Sequence, residues 1–312
     1  MAAQYDMFET AAGKELARDR RRPVAPSGLS DEAMVKHLQA SGRYRVLSRL
    51  EPRPVVRERR PGYPLCGVII DTETTGLKSD RHEVIEIGAV VFTFDSTGRI
   101  GDVVDVYGGL QQPGDAIPAE ITRLTGITDE MVAGQRIDLA RLEALAAPAD
   151  LVIAHNAAFD RPFCEKLSPV FCNKAWACSV AEIDWAARGF EGSKLGYLIG
   201  QAGYFHTGHR AVDDCFALLE VLDGTAFSAL LTASGQSRAR IFAENSPFDL
   251  KDRLKERGYR WSDGTDGRPK SWWVEVDDAE TENEIGWLRR EIYRYDANPL
   301  VRRLTAFDRF RR

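Results

Sequence analysis

Two acids one residue apart, Asp71 and Glu73, close the short apolar run Gly67-Val68-Ile69-Ile70. A β-branched run of this length reads as a buried strand. Side chains on a strand alternate, so both carboxylates point to one face. With no cation in the neighbouring sequence they repel each other unless one binds a proton or the pair shares a metal. Hard divalent cations such as Mg²⁺ and Mn²⁺ take oxygen ligands of this kind. A lone Asp-x-Glu before a Thr-Gly turn would read as a strand end with solvated acids. The rest of the chain decides between the two.

Further along, the apolar run Leu151–Ala154 leads into His155-Asn156-Ala157-Ala158-Phe159-Asp160, which puts Asp160 on the first turn of a helix. His209-Arg210-Ala211-Val212-Asp213-Asp214 follows a Gly-containing loop at 205–208, with Asp214 at a helix start and His209 upstream on the loop. Four acids at strand or helix ends, with one loop histidine, suit a two-metal hydrolytic centre. There one ion sharpens a water nucleophile and the other, roughly 3.5–4 Å away, stabilises the leaving oxygen of an in-line displacement at phosphorus.

Such groups need a rigid frame. Residues 84–92 read as a central strand and 100–110 as a third, after the turn Asp95-Ser96-Thr97-Gly98. Three strands on short turns make an antiparallel meander. Helices are expected over 118–124 and 139–147, then the strand Leu151–Ala154 and a helix over Ala157–Leu167. A fifth strand over 171–179 and helices over 195–202 and Ala211–Leu222 complete the set. A meander followed by alternating strands and helices implies a mixed sheet covered on both faces.

At 312 residues, one large domain plus a small one is the natural expectation. The net charge of −5 does not announce a nucleic-acid binder, although both ends are basic. Residues 1–62 carry thirteen Lys/Arg against eight Asp/Glu, and residues 288–312 eight Arg against three acids, so the middle is net acidic, as a carboxylate-rich site would make it. Five cysteines without CxxC or framework spacing point to reduced thiols. With no secretory h-region and no bilayer-length apolar run, a soluble cytoplasmic protein with no membrane partner is expected.

Asp71-Thr72-Glu73, His155-Asn156-Ala157-Ala158-Phe159-Asp160 and His209…Asp214 together resemble the three motifs of the DEDDh 3′–5′ exonucleases. Within that family the chain is most similar to the exonuclease domain of the bacterial DNA polymerase III epsilon subunit. The segments 121–131 and Lys194-Leu195-Gly196-Tyr197-Leu198 agree, and the resemblance covers about residues 65–223. It implies a ribonuclease H-like mixed five-stranded sheet flanked by helices, and two divalent cations, Mg²⁺ or Mn²⁺. Asp71, Glu73, Asp160 and Asp214 would be the metal ligands and His209 the general base, a role that suits a side chain titrating near neutrality. The motif spacing selects Asp214 over Asp213. Thr72, Thr74 and Leu77 would flank the terminal nucleotide, Leu77 as an apolar wedge, while Asn156 and Phe159 line the same cleft; Phe159 reads equally as a core residue. His155 is expected to pack the strand end and His206 to be a solvated loop residue. The implied substrate is nucleic acid with a free 3′ end, DNA favoured. The alternatives are an RNA or oligoribonucleotide exonuclease and a clamp-associated DNA-binding factor with a vestigial site.

The remaining segments divide as a disordered tail over 1–28, a helical arm and linker over 29–64, the exonuclease domain over 65–225, and a helical linker with a small α+β, aromatic-rich module over 226–312. In the tail, Gln4-Tyr5-Asp6-Met7-Phe8 resembles the peptide by which bacterial DNA-metabolising proteins dock on the sliding clamp, with Gln4, Met7 and Phe8 as the contacts. A helix is expected from Ser30 to a stop at Gly42. In the module, a helix over 226–242 is expected, then one over 248–257 with Ser246 as N-cap, strands over 259–261 and 272–276, and a helix over 279–293. Four of the six tryptophans fall there, needed for a core more than for stacking on a strand, and the pattern resembles an aromatic module appended to some bacterial nucleases and primases. No polymerase-binding tail is recognisable, which favours a stand-alone repair or turnover nuclease over a replicative proofreader.

Overall fold

The computed structural model describes residues 30–265 and 267–311. The expected clamp peptide with Gln4, Met7 and Phe8 lies outside the described residues. The chain divides into two compact units, Met1–Val46 and Leu47–Arg312. In the first, helix α1 (Asp31–Ala40) forms where its signals place it: Ser30 Oγ accepts from the Ala33 N–H at 3.2 Å, and Asp31 and Glu32 fill the first turn. Gly42 follows at φ +69.

The second unit opens with a two-residue strand, β1 (Ser48–Arg49). The central sheet takes β2 (Leu65–Thr74), β3 (Val84–Phe94), β4 (Ile100–Leu110), β5 (Leu151–Ala154) and β6 (Trp176–Cys178), ordered β4-β3-β2-β5-β6. Short turns make β2, β3 and β4 antiparallel, whereas β5 and β6 return through helical crossovers and run parallel to β2. The five-stranded mixed sheet flanked by helices is therefore the arrangement expected. A further short strand, β7 (Tyr204–Phe205), pairs in parallel with β1.

Every residue of β3 is buried, because helices cover both faces. Between β4 and β5 come α2 (Ala119–Thr125), α3 (Asp129–Val132) and α4 (Leu139–Ala146), and after β5 comes α5 (Ala157–Leu167). Leu142 and Leu145 of α4 and Phe163 of α5 pack with Val68 and Ile70 on one face. After α6 (Ser179–Glu182) and α7 (Leu195–Gln201), helices α8 (Ala211–Leu222) and α9 (Thr225–Gly235) bring Leu218 and Phe227 against Ile69, Val90 and Phe92 on the other. Among the described residues no single helix is long and apolar enough to cross a membrane; α8 and α9 reach that length only together and are bent by 96°.

Several expectations need correction. The fifth strand is only Trp176–Cys178, because a 3₁₀ turn over Pro169–Asn173 consumes the residues before it: Pro169 starts the turn, and Ser168 Oγ accepts from the Val170 N–H. The Pro-rich stretch before β2 is docked along the domain. Arg53 bonds Glu220 and Asp223 at 2.9 and 2.7 Å, and the Val56 N–H reaches the Val103 carbonyl at 2.8 Å. The expected helix over 226–242 stops at Gly235, and β8 (Arg238–Ala243) follows. Arg238-Ala239-Arg240-Ile241 alternates with period two, a signal masked by the Ala-rich run before it.

The module continues with α10 (Lys251–Glu256), β9 (Arg260–Ser262), β10 (Ser271–Asp277), α11 (Thr281–Trp287) and β11 (Leu300–Leu304). Its antiparallel sheet, ordered β11-β8-β10-β9, lays Ile241, Trp272, Val274 and Val301 on the helices. Pro247, rather than Ser246, precedes the first turn, a 3₁₀ piece at Phe248–Leu250, and Gly258 at φ +90 closes the helical segment. The expected helix over 279–293 begins as a 3₁₀ turn and ends in a π-helical turn over Leu288–Tyr293. Strand β11, whose Arg-Arg centre breaks alternation, was not expected. Beyond it the chain folds back on the nuclease sheet: the Trp176 N–H donates to the Ala306 carbonyl at 2.8 Å and covers the β6 edge.

Candidate active site

Strand β2 carries Asp71 and Glu73 to one face, opposite Gly88 and Glu86 of β3. Helix α8 carries Asp214 to the same place. One carboxylate oxygen from each of Asp71, Glu73 and Asp214 lies within 4.8 Å of the others. Asp213, one residue earlier on the helix, is not in this group. Asp160, on the first turn of α5, is 2 % exposed and is not in this group; its Oδ1 accepts from the Thr72 N–H at 3.0 Å and the Thr72 hydroxyl at 2.8 Å.

These carboxyls disturb one another strongly. Burial, reinforced by Asp160, Asp214 and Glu73, holds the Asp71 carboxyl well above the usual carboxylate range. Burial and then the Asp214 charge push Glu73 up to about 8. Burial raises Asp160 to about 7 even though the Thr72 bonds oppose it. Arg210 is the cation that works against the rise at Glu73, but its guanidinium is bonded to Glu86, 2.9 Å from Nη2 to Oε1. Oxygen donors gathered this closely, with so little positive charge of their own, fit hard divalent cations.

Helix α8 is set by contacts invisible in any motif. Gly88 lets it lie almost against β3: a Cβ there would stand 2.3 Å from the Ala211 carbonyl carbon. Buried Glu86 accepts from the Ala211 N–H at 3.0 Å and holds Arg210, while the Arg210 N–H donates to Asp214 Oδ2 at 3.0 Å. His206 is not the solvated loop residue expected. Its ring is buried, with Nε2 2.8 Å from Asp214 Oδ1. His209 sits at φ +60 with its side chain 54 % exposed and Nδ1 3.9 Å from Glu73 Oε1. His155 packs the end of β5, with Nδ1 2.7 Å from Ser179 Oγ and Nε2 2.7 Å from the Ser193 carbonyl, and burial lowers its pKa.

The other expected substrate residues divide by exposure. Thr72 and Thr74 are buried; the Thr74 hydroxyl donates to the Gly76 carbonyl at 2.7 Å, as Thr72 does to Asp160. Leu77 is 77 % exposed on the loop after β2. Asn156 is exposed at φ +86, and half-buried Phe159 packs on the core 5.2 Å from the Phe163 ring. Sequence reasoning missed Glu86 and His206. A single acid inside the apolar run 84–92 was the available signal for the first, while His206 offered only its nearness to His209.

A family model described as "Exonuclease" matches residues 68–222. The DNA polymerase III subunit epsilon of Treponema pallidum (strain Nichols) is 31 % identical over 161 residues, 48 % of this chain and 72 % of that protein. These matches define a nuclease, and the chain belongs to the exonuclease family. The PolC-type DNA polymerase III of Clostridium perfringens (strain 13 / Type A) is 35 % identical over 162 residues, covering 50 % of this chain and 11 % of that protein. The chain thus spans about a tenth of the length of this PolC-type relative. Among solved structures, Exonuclease X in complex with 5′ overhanging duplex DNA matches at 25 % identity over 53 % of this chain and 92 % of that one, with a TM-score of 0.38. E. coli Exonuclease I in complex with an oligonucleotide matches at 14 % identity over 68 % and 63 %, with a TM-score of 0.46.

Proposed function

We propose that this chain is a metal-dependent 3′–5′ exonuclease that hydrolyses the terminal phosphodiester of single-stranded or frayed DNA and releases nucleoside monophosphates. The observation that carries the proposal is the approach of the Asp71, Glu73 and Asp214 carboxylates to within 4.8 Å in a partly buried site. With Asp160 beside them, these residues would hold two divalent cations, Mg²⁺ or Mn²⁺, which supply charge stabilisation at the scissile phosphate and an acidified water. His209, on its exposed loop beside Glu73, takes the proton of the attacking water as general base. His206 and the Arg210 N–H fix the Asp214 carboxylate from two sides, and Thr72 steadies Asp160. Leu77 wedges against the last bases, Asn156 and Phe159 line the same cleft, and Thr72 and Thr74 contribute backbone rather than hydroxyls.

DNA is preferred over RNA because the named relatives are parts of DNA polymerase III. Matched DNA and RNA 3′ ends offered to the purified protein test this, and faster turnover of RNA reverses it. For the chemistry, chelator abolishes turnover, and Mg²⁺ or Mn²⁺ restores it. Asp71→Ala lowers kcat by roughly 10³-fold or more while the thermal transition survives; an Asp71→Ala protein with normal rates refutes the site. The sliding-clamp contact through Gln4, Met7 and Phe8 is a separate proposal. Deleting residues 1–10 abolishes clamp binding if it holds, and unchanged affinity disposes of it.

A further inference from the structure

The sheet of the C-terminal module has two unlike faces. Along β8, Ala239 and Ile241 turn to the module's own helices, and the alternate residues Arg238 and Arg240 turn the other way. Register adds Trp273 and Glu275 of β10 and Arg260 of β9 to the Arg240 face. An exposed antiparallel sheet face is ordinarily solvated. This one lines a cavity of about 500 Å³ whose opposite wall is the nuclease domain, including Asn156 and Ala158 at the start of α5, the helix that carries Asp160.

The charge in that cavity is one-sided. Six arginines line it against two glutamates, Glu182 and Glu275. Glu275 is taken by Arg240 at 2.6 Å and Glu182 by Arg309 at 2.8 Å. Trp273, 8 % exposed, lies under three guanidiniums, those of Arg240, Arg260 and Arg268, at 5.0, 5.6 and 4.7 Å from its ring centroid. Its covered face is closed to a stacking base; it spaces the guanidiniums instead. The buried Nε–H groups of Arg238 and Arg309, both on this wall, have no acceptor among the described residues. Arg238 also pairs with Asp277 at 3.5 Å and Arg311 with Glu165 at 3.0 Å, so the acids nearby are already engaged. Buried Nε–H donors left over beside these pairs are costly unless an anion completes them. Arginine's planar fork suits phosphate oxygens.

We propose that this cleft holds the phosphodiester backbone of the substrate strand upstream of the 3′ end, so that the module gives the nuclease its grip on a single strand. The inference rests on the exonuclease reading for the identity of the strand. Its contact is with phosphates and independent of base, as a strand of any sequence requires.

Arg260 is the residue to test, being exposed and, among the described residues, paired with no carboxylate. Binding of a fluorescent single-stranded 20-mer to the full chain in chelator is followed by anisotropy across salt concentrations. Removing the Arg260 charge with Arg260→Ala is expected to weaken binding about tenfold and to make the slope of log K against log salt shallower by about 0.7, while Arg260→Lys keeps most of both. With Mg²⁺, the ratio of kcat/KM on the 20-mer to that on a dinucleotide falls about tenfold in Arg260→Ala, since only the longer strand reaches the cleft. Unchanged 20-mer affinity overturns the proposal. So does an equal loss on both substrates, or competition by poly-glutamate as effective as that by oligonucleotide. If the wild-type chain cleaves nothing yet binds the 20-mer through Arg260, the exonuclease reading fails and the cleft stands.

Discussion

Asp71, Glu73 and Asp214 are costly neighbours, and the cost has a sign. A carboxyl whose pKa is raised on folding contributes least penalty where it is protonated in both states. For Glu73 that means stability is fully present below the ordinary value of 4.5 and is lost as the pH rises toward about 8. At about 1.4 kcal/mol per pKa unit, the penalty at pH 8 is on the order of a few kcal/mol. The metal-free protein should therefore melt at a lower temperature at pH 8 than at pH 6, and Mg²⁺ should remove most of the difference; a chelated protein equally stable at both values contradicts the mutual repulsion. Asp71→Asn removes one of the three crowded ionisable carboxyls. In chelator it should raise the Tm by several degrees while turnover is lost, the exchange of stability for function expected at a strained site. The acids themselves were legible, because Asp-x-Glu at a strand end and an acid on the first turn of a helix declare themselves by position. Glu86 and His206 were not. Their roles depend on strand register and on where a loop folds, neither of which is written in local spacing.

At the scale of elements, the site depends on α8 lying against β3. The sequence announced both, since residues 84–92 are apolar apart from Glu86 and the helix is framed by its acidic first turn. It did not announce how closely they approach. Gly88 is where that closeness is decided, since a methyl group would meet the backbone of Ala211 and Val212. Gly88→Ala should displace α8 and carry Asp214 with it, costing about 1–3 kcal/mol by overpacking and lowering turnover more than stability alone explains. Urea melts and kcat measured on the same preparation check this; full activity in a stably folded Gly88→Ala protein shows that the contact is slack. Amphipathic period failed chiefly where two elements of similar composition abut. The Ala-rich helix α9 and strand β8 read as one helix because only two residues, Gln236 and Ser237, separate them.

The whole molecule is joined by a device that sequence analysis had no means of seeing. Arg161, on α5 beside Asp160, is fully buried and donates to the carbonyls of Phe307 and Arg309 at 2.7 and 2.6 Å, while Glu165 pairs with its Nε at 2.8 Å. Arg309 answers from the other side, reaching the Ser234 carbonyl at 2.6 Å and Glu182 at 2.8 Å. The chain after β11 is thus a strap that binds the module to the nuclease domain and closes the β6 edge. Buried charges held this way are expensive to break one at a time, about 3–5 kcal/mol when a partner is removed. Arg161→Ala should loosen the strap, so that limited proteolysis cuts after residue 304 and thermal unfolding runs in two steps where the unaltered protein is expected to show one. Arg161→Met, which fills the space without the charge, should loosen it less if packing is what matters, and equally if the carbonyl bonds are. In either variant the grip on a long strand should fall before the hydrolysis of a dinucleotide does, because the proposed cleft lies between module and domain whereas the carboxylate cluster lies within the domain. A strap variant that keeps one sharp transition and resists proteolysis assigns the joint to other contacts.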